Sequence, residues 1–221
     1  ASCSAVLNEN FKSFWNVVEG CYKRSNRYSD FNAFVMSKIV NEIWGYDTLF
    51  SRFSECQQAF VDEFGLLLSH FEDYSRLLKE AEQMPTPYDE GVSGGVSEQE
   101  PWLVPFWYHC DCGSKVKLFL SRNDGRLSGS GNCEGCQENY KLEFGTEDNP
   151  TLKDIAQRIS ARAIPMGLVF FNGLMPSCYV GGIGGTRYLM EAEVVARGLG
   201  ISFPPIAVWR PHDTYLGVGQ I

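Results

Sequence analysis

The chain of 221 residues has little basic charge and few histidines: 19 Lys and Arg stand against 27 Asp and Glu, and there are three His. A net charge of -8 disfavours a general binder of phosphate backbones, which needs clustered Lys and Arg to displace counterions. No run of eighteen or more apolar residues occurs, so no transmembrane helix is expected, and "ASCSAVLNEN" lacks the basic start and apolar stretch of a signal peptide. These absences point to a globular cytoplasmic protein with no membrane partner. No Ser-His-Asp, Cys-His or paired-carboxylate arrangement stands out either. His70 falls on a helical stripe, and His212 follows Arg210 and Pro211 near the end, within reach of a glycine-rich turn upstream.

Cysteine is not scarce. Four of the eight lie in "HCDCGSKVKLFLSRNDGRLSGSGNCEGC", as Cys110 and Cys112, then Cys133 and Cys136. Two close pairs at the ends of short strands, in a chain without secretory signals, are the pattern of a metal site more than of a disulfide framework. The intervening "KVKLFLS" and "NDGR" read as a strand and a hairpin turn, with "WLVPFWYHC" before and "YKLEFG" after as further strands. This is the layout of a zinc ribbon, in which each hairpin presents two thiolates and the metal replaces a core too small to hold the loops. His109 precedes Cys112 by three and is an alternative ligand to Cys110. Redox-active pairs are a third reading, which would need a thioredoxin-like strand and helix; Gly113 and Gly135 fit knuckle turns better. Cys3, Cys21, Cys56 and Cys178 are scattered in apolar or helical sequence, and most of them are expected as buried thiols.

The first third reads as helical. Phe11, Phe14, Trp15, Val18 and Cys21 form a stripe from Asn8 to Lys23, and a second helix is expected from an N-cap Asp30 to Trp44. A longer amphipathic stretch, Asp47 to Glu82, carries Leu49, Phe50, Phe53, Phe60, Phe64, Leu67, Leu68, Phe71 and Leu77. These stripes are expected to be core or helix-packing faces. Composition then shifts at "QMPTPYDEGVSGGVSEQEP", read as a flexible linker. The expected organisation is a helical region over 1–83, a linker over 84–101, a zinc-ribbon module over 102–146 and an α/β segment over 147–221.

In the last segment "NPTLKDIAQRIS" reads as a helix opened by Asn149 and Pro150, "MGLVFF" and "SCYV" as strands, "GGIGGTR" as a glycine turn, "YLMEAEVVARGLG" as a helix and "PPIAVW" as a strand. Strand, glycine turn, helix and strand make a βαβ unit with a parallel pair. Gly181, Gly182, Gly184, Gly185, Thr186 and Arg187 are candidates for an anion site, because glycine admits close approach of a ligand and the first amides of a helix favour negative charge. Tyr179, Asn172 and Arg210 are nearby polar candidates. The spacing departs from the dinucleotide fingerprint, since Arg187 stands three after Gly184 and no third glycine follows.

The segment "YVGGIGGTRYLMEAEVVARGLGISFPPIAVWRP", with "RISARAIPMGLVFFNGLMP" before it, resembles the C-terminal part of the cysteine ligases of bacillithiol biosynthesis. In that family a "YxGGPGE" turn leads into an aromatic-containing helix, a Pro-containing turn, a strand and an arginine. The resemblance covers about sixty residues, and implies a Rossmann-like core, a nucleotide and the joining of cysteine to a small acceptor. Ile183 and Gly185 stand where the family pattern has Pro and Glu, so a carboxylate is missing from the turn. Two functional classes follow: a ligase-like protein, with a small-molecule substrate, or a non-catalytic scaffold whose ribbon contacts RNA or protein through Lys115, Lys117, Arg122 and Arg126 with Trp107 and Phe119.

Overall fold

The computed structural model describes residues 3–51, 53–84 and 102–209. The chain divides into two compact units, Ala1–Cys56 and Gln57–Ile221.

In the first unit, helix α1 (Cys3–Arg24) contains the first stripe. Helix α2 (Tyr28–Ser37) begins two residues before the expected cap: Arg27 occupies the N-cap without a side-chain bond, and Asp30 sits in the first turn, where its charge complements the helix dipole. The chain then widens into a π-helical turn, Lys38–Ile43. The long helix expected from Asp47 does not form as one piece. Gly45 takes a left-handed φ of 73°, and Asn41 closes the following loop by exchanging two 2.8 Å hydrogen bonds with the backbone of Thr48. The short helix α3 (Phe53–Cys56) ends this unit. Of the first stripe, Cys21 is buried but Phe11 and Trp15 stay 61% and 53% exposed, so the expected core face is an exposed aromatic one.

The second unit begins with a 3-10 turn and helices α4 (Val61–Ser69) and α5 (Phe71–Glu82). Strands β1 (Phe106–His109), β2 (Lys115–Val116), β3 (Phe119–Asn123), β4 (Arg126–Asn132), β5 (Asn139–Thr146), β6 (Asn149–Pro150) and β7 (Ile159–Ala161) follow. They form two antiparallel sheets, ordered β2-β1-β7 and β3-β4-β5-β6. Pro105, which has no N–H for a ladder, separates two partners of one stretch. Before it, Val104 N–H donates to Leu118 O at 3.0 Å; after it, β1 pairs with β2 and β7. The expected hairpin turn is present: Asp124 and Gly125 both have positive φ, 51° and 71°, which suits a two-residue turn between twisted strands. Fully buried Phe106 meets Phe64 of α4 and Phe144 of β5 edge-on, each with ring centroids 5.7 Å apart, and so ties both sheets to the helical layer.

Two readings of the last segment are corrected. "NPTLKDIAQRIS" is not a helix: Asn149 and Pro150 extend the second sheet, Lys153–Arg158 is a 3-10 turn, and Ile159–Ala161 is β7. "MGLVFF" lies in helix α6 (Ala163–Leu174), whose residues Ile164, Pro165, Gly167, Leu168, Val169 and Phe171 are buried. An element apolar all round has no helical period to reveal it, and Pro165 falls in its first turn, where no backbone bond is lost.

Strand β8 (Tyr179–Gly182), helix α7 (Ile183–Leu199) and strand β9 (Ile206–Trp209) form the expected βαβ unit, with Tyr179 opposite Ile206 and Gly182 opposite Trp209 in parallel register. This pair is the only parallel one among the described residues, so the fold shown is mixed helix and antiparallel sheet with one parallel pair. Helix α7 packs along α5, where Gly198 leaves the space that Leu77 fills. The expected linker lies, apart from Met84, outside the described residues, as do Arg210 and His212.

Candidate metal centre

Each cysteine pair sits in a tight loop closing an antiparallel hairpin. Between β1 and β2, Cys110 N–H donates to Ser114 O at 3.0 Å and Gly113 N–H to Cys110 O at 2.9 Å. Gly113 has φ 90°, a conformation side chains rarely adopt. Between β4 and β5, Cys133 N–H donates to Glu138 O and Gln137 N–H to Cys133 O, both at 2.8 Å. Gln137 takes the left-handed φ of 64° here, and Asn132 braces the loop by donating to Gln137 O at 3.2 Å. Gly135 lets the loops meet: a Cβ there would collide with the Ser114 hydroxyl and lie 3.3 Å from Cys112 Sγ.

The result is a cluster in which the Sγ atoms of Cys110, Cys112, Cys133 and Cys136 all lie within 4.8 Å of one another. Cys110 and Cys136 are 3.4 Å apart and Cys112 and Cys133 3.5 Å, with all four thiols free. Four sulfurs about 2.3 Å from a tetrahedral zinc would be about 3.8 Å from each other, so the cluster is compatible with that ion after small shifts. Cys110 and Cys133 are buried; Cys112 and Cys136 are exposed. The His109 alternative is not what the geometry brings together. Its Nε2 lies 2.8 Å from Ser160 Oγ, and among the described residues the metal-competent group contains the four cysteines alone. Burial, with Lys115 nearby, holds the His109 ring below its usual titration range.

Sequence reasoning missed the groups around the sulfurs. The Tyr140 hydroxyl is 3.1 Å from Cys110 Sγ and 2.8 Å from Glu138 Oε2. Hydrogen bonding to Cys110, then to Glu138, pushes the Tyr140 hydroxyl far above its usual range. Tyr140 stands opposite Gly131 across the sheet, a register that the sequence alone does not signal. The Ser114 side chain, then its backbone amide, bond Cys112 and lower that thiol to about 6. At Cys136 the Glu138 amide pulls down, but the bonds to Cys110 and Cys133 outweigh it and the thiol is pushed up to about 12. Without metal, the cluster therefore shares protons that a bound cation would displace.

Of the remaining thiols with described burial, Cys21 is buried, Cys56 is half-buried and Cys178 is exposed. The basic and aromatic set proposed for an RNA or protein contact does not stand free as a group. Arg122 pairs with Glu147 at 2.5 Å and Glu72 at 3.2 Å, and Lys115 lies over the Trp107 ring, 5.8 Å from its centroid.

The glycine segment is not a separate turn. Gly181 and Gly182 end β8, Gly182 is the N-cap of α7, and Ile183, Gly184, Gly185, Thr186 and Arg187 are helical. Thr186 Oγ1 donates back to Gly182 O at 2.9 Å. Neither Gly182 nor Gly185 has a positive φ, and among the described residues a Cβ at either would meet nothing within 4 Å, so neither strain nor packing against the described residues requires glycine there. Gly185 borders a cavity of about 360 Å³ lined by Met166, Phe170, Tyr179 and Tyr188. Asn172 is half-buried on α6.

No family model matches the chain, and no curated protein matches it. No helix among the described residues is long and apolar enough to cross a membrane.

Proposed function

We propose that the protein holds one structural zinc ion through Cys110, Cys112, Cys133 and Cys136, and that the metal fastens a small β-module onto an α/β scaffold. The convergence of four thiol sulfurs within 4.8 Å from two hairpin loops carries this reading. An all-thiolate, four-coordinate set leaves no open position for substrate, so the ion serves the fold. Elemental analysis of the reduced protein is expected to find about one zinc per chain, the stoichiometry of a four-ligand site. Cys133→Ser is expected to lose it. Metal-free reduced protein would overturn the reading.

A second reading concerns the βαβ unit. Gly182 and Gly185, which face open space among the described residues at the start of α7, leave room for a small anionic ligand such as a nucleotide phosphate or a carboxylate. The resemblance to cysteine ligases supports a ligase-like, Rossmann-related role for this unit, with cysteine or a similar amino acid as substrate. Thermal denaturation in the presence of ATP, ADP, cysteine or citrate tests it, since a ligand at a hundred times its Kd adds about 2.7 kcal/mol of stability. No shift with any of the four would leave a scaffold held by zinc.

A further inference from the structure

Resting on the zinc reading, we propose that the cluster is also a peroxide-sensitive release site, in which oxidation cross-links the two loops through Cys110–Cys136 and Cys112–Cys133 and expels the metal. The pairing follows from two independent features of the geometry. The sulfur contacts of 3.4 Å and 3.5 Å both run between loops, while the within-loop pairs belong to the same cluster, with all four sulfurs within 4.8 Å. Each also joins one exposed sulfur to one buried sulfur: Cys136 with Cys110, and Cys112 with Cys133.

That arrangement separates the two roles a disulfide-forming pair requires. The exposed sulfur meets the oxidant, and the buried partner resolves the product. The Cys112 thiolate attacks the outer oxygen of a hydroperoxide; an S–O bond forms as the O–O bond breaks, sulfur is oxidised to the sulfenic acid and the peroxide is reduced to an alcohol, or to water for hydrogen peroxide. The Cys133 thiolate then attacks that sulfur, forming the S–S bond and releasing hydroxide, which takes a proton to leave as water. Per pair, two thiolates, one hydroperoxide and two protons give one disulfide, one alcohol and one water. Cys136 and Cys110 repeat the sequence with a second hydroperoxide. Once sulfurs are tied in disulfides they are no longer thiolate ligands, and Zn²⁺ passes to solvent. Closing each pair needs the sulfurs to approach from 3.4 Å and 3.5 Å without metal, or about 3.8 Å around a tetrahedral zinc, to the S–S bond length of about 2.05 Å. The loops are short and already in contact at Gly135 and Ser114, so this is a local movement.

The test uses the zinc-loaded full chain treated with hydrogen peroxide, with a chromophoric chelator reading zinc and non-reducing peptide mapping reading the cross-links. The expected result is release of about one zinc per chain, together with peptides joined as Cys110–Cys136 and Cys112–Cys133; dithiothreitol with added zinc then restores both. Exposed Cys178 serves as the internal gauge that oxidant has acted. Zinc retained after Cys178 is oxidised overturns the inference, as do disulfides within a loop, Cys110–Cys112 or Cys133–Cys136, or sulfinic acids in place of cross-links. Cys136→Ser adds a check on the order of events: Cys112–Cys133 is still expected to form in it. A reduced protein that binds no zinc at the outset refutes the zinc reading itself, whereas zinc that binds and is not released refutes this inference alone.

Discussion

The Tyr140 hydroxyl lies 3.1 Å from Cys110 Sγ and 2.8 Å from the Glu138 carboxylate, and so stands between the buried sulfur and a negative charge 4.0 Å from it. A hydrogen bond of this kind orients a ligand and tempers the charge that four thiolates would put on one ion. Removing it should weaken the metal without removing a ligand. Tyr140→Phe is expected to lower zinc affinity by about 10- to 100-fold, the range for lost outer-sphere partners. Chelator competition measures this, and the fold should persist because the ring keeps its contact with Tyr108, 4.8 Å between centroids. Unchanged affinity would make Tyr140 a packing residue only.

The strand leading into the second cysteine pair, β4, is held against its neighbours by glycine. A Cβ on Gly131 would drive into the Lys117 carbonyl oxygen, which is backbone and cannot swing aside. Gly131→Ala is expected to cost about 1–3 kcal/mol, as overpacking does. Urea denaturation of the zinc-loaded protein checks it, and a loss below about 0.5 kcal/mol, typical of surface changes, would contradict the geometry.

Phe106 joins the helical layer to both sheets through Phe64 and Phe144, and it is fully buried. Phe106→Ala is therefore expected to destabilise the second unit by about 3–5 kcal/mol. The same substitution leaves all four sulfurs in place. Zinc stoichiometry in the folded fraction should stay unchanged while the denaturation midpoint falls.

What the sequence revealed follows the range of the physics involved. The sulfur pairs and the Asp124–Gly125 turn were legible because each depends on a few adjacent residues: short loops force Cys110 near Cys112, and only positive φ closes a two-residue hairpin. Tyr140 was not legible, because its place beside Cys110 depends on the β4–β5 register and on where β1 ends. Helix α6 was misread because its apolar residues surround it, so it reads like a buried strand. The end of the second helix at Trp44 was legible, but the stretch from Asp47 reads as amphipathic throughout because Leu49 and Phe50 continue the pattern, while the bonds that hold this loop join Asn41 to Thr48, seven residues apart.

The start of α7 offers a substitution whose effects on folding and on binding have opposite signs. Gly185 is helical with ordinary φ, and a Cβ there would meet none of the described residues within 4 Å, so alanine adds no clash with them. Glycine inside a helix costs about 0.5–1 kcal/mol relative to alanine, since more backbone freedom is lost on folding. Gly185→Ala is accordingly expected to stabilise the protein by about that amount, read as a raised denaturation midpoint. The open space at Gly185 adjoins the cavity lined by Tyr179 and Tyr188. If a nucleotide or carboxylate binds against the helix start, a larger side chain there excludes it, and Gly185→Val should abolish any ligand-induced thermal shift seen in the unsubstituted protein while zinc content stays unchanged. A Gly185→Val protein that still shows the full shift would place the ligand elsewhere. A destabilised Gly185→Ala protein would show instead that the glycine serves packing at this site and that the space beside it is not free.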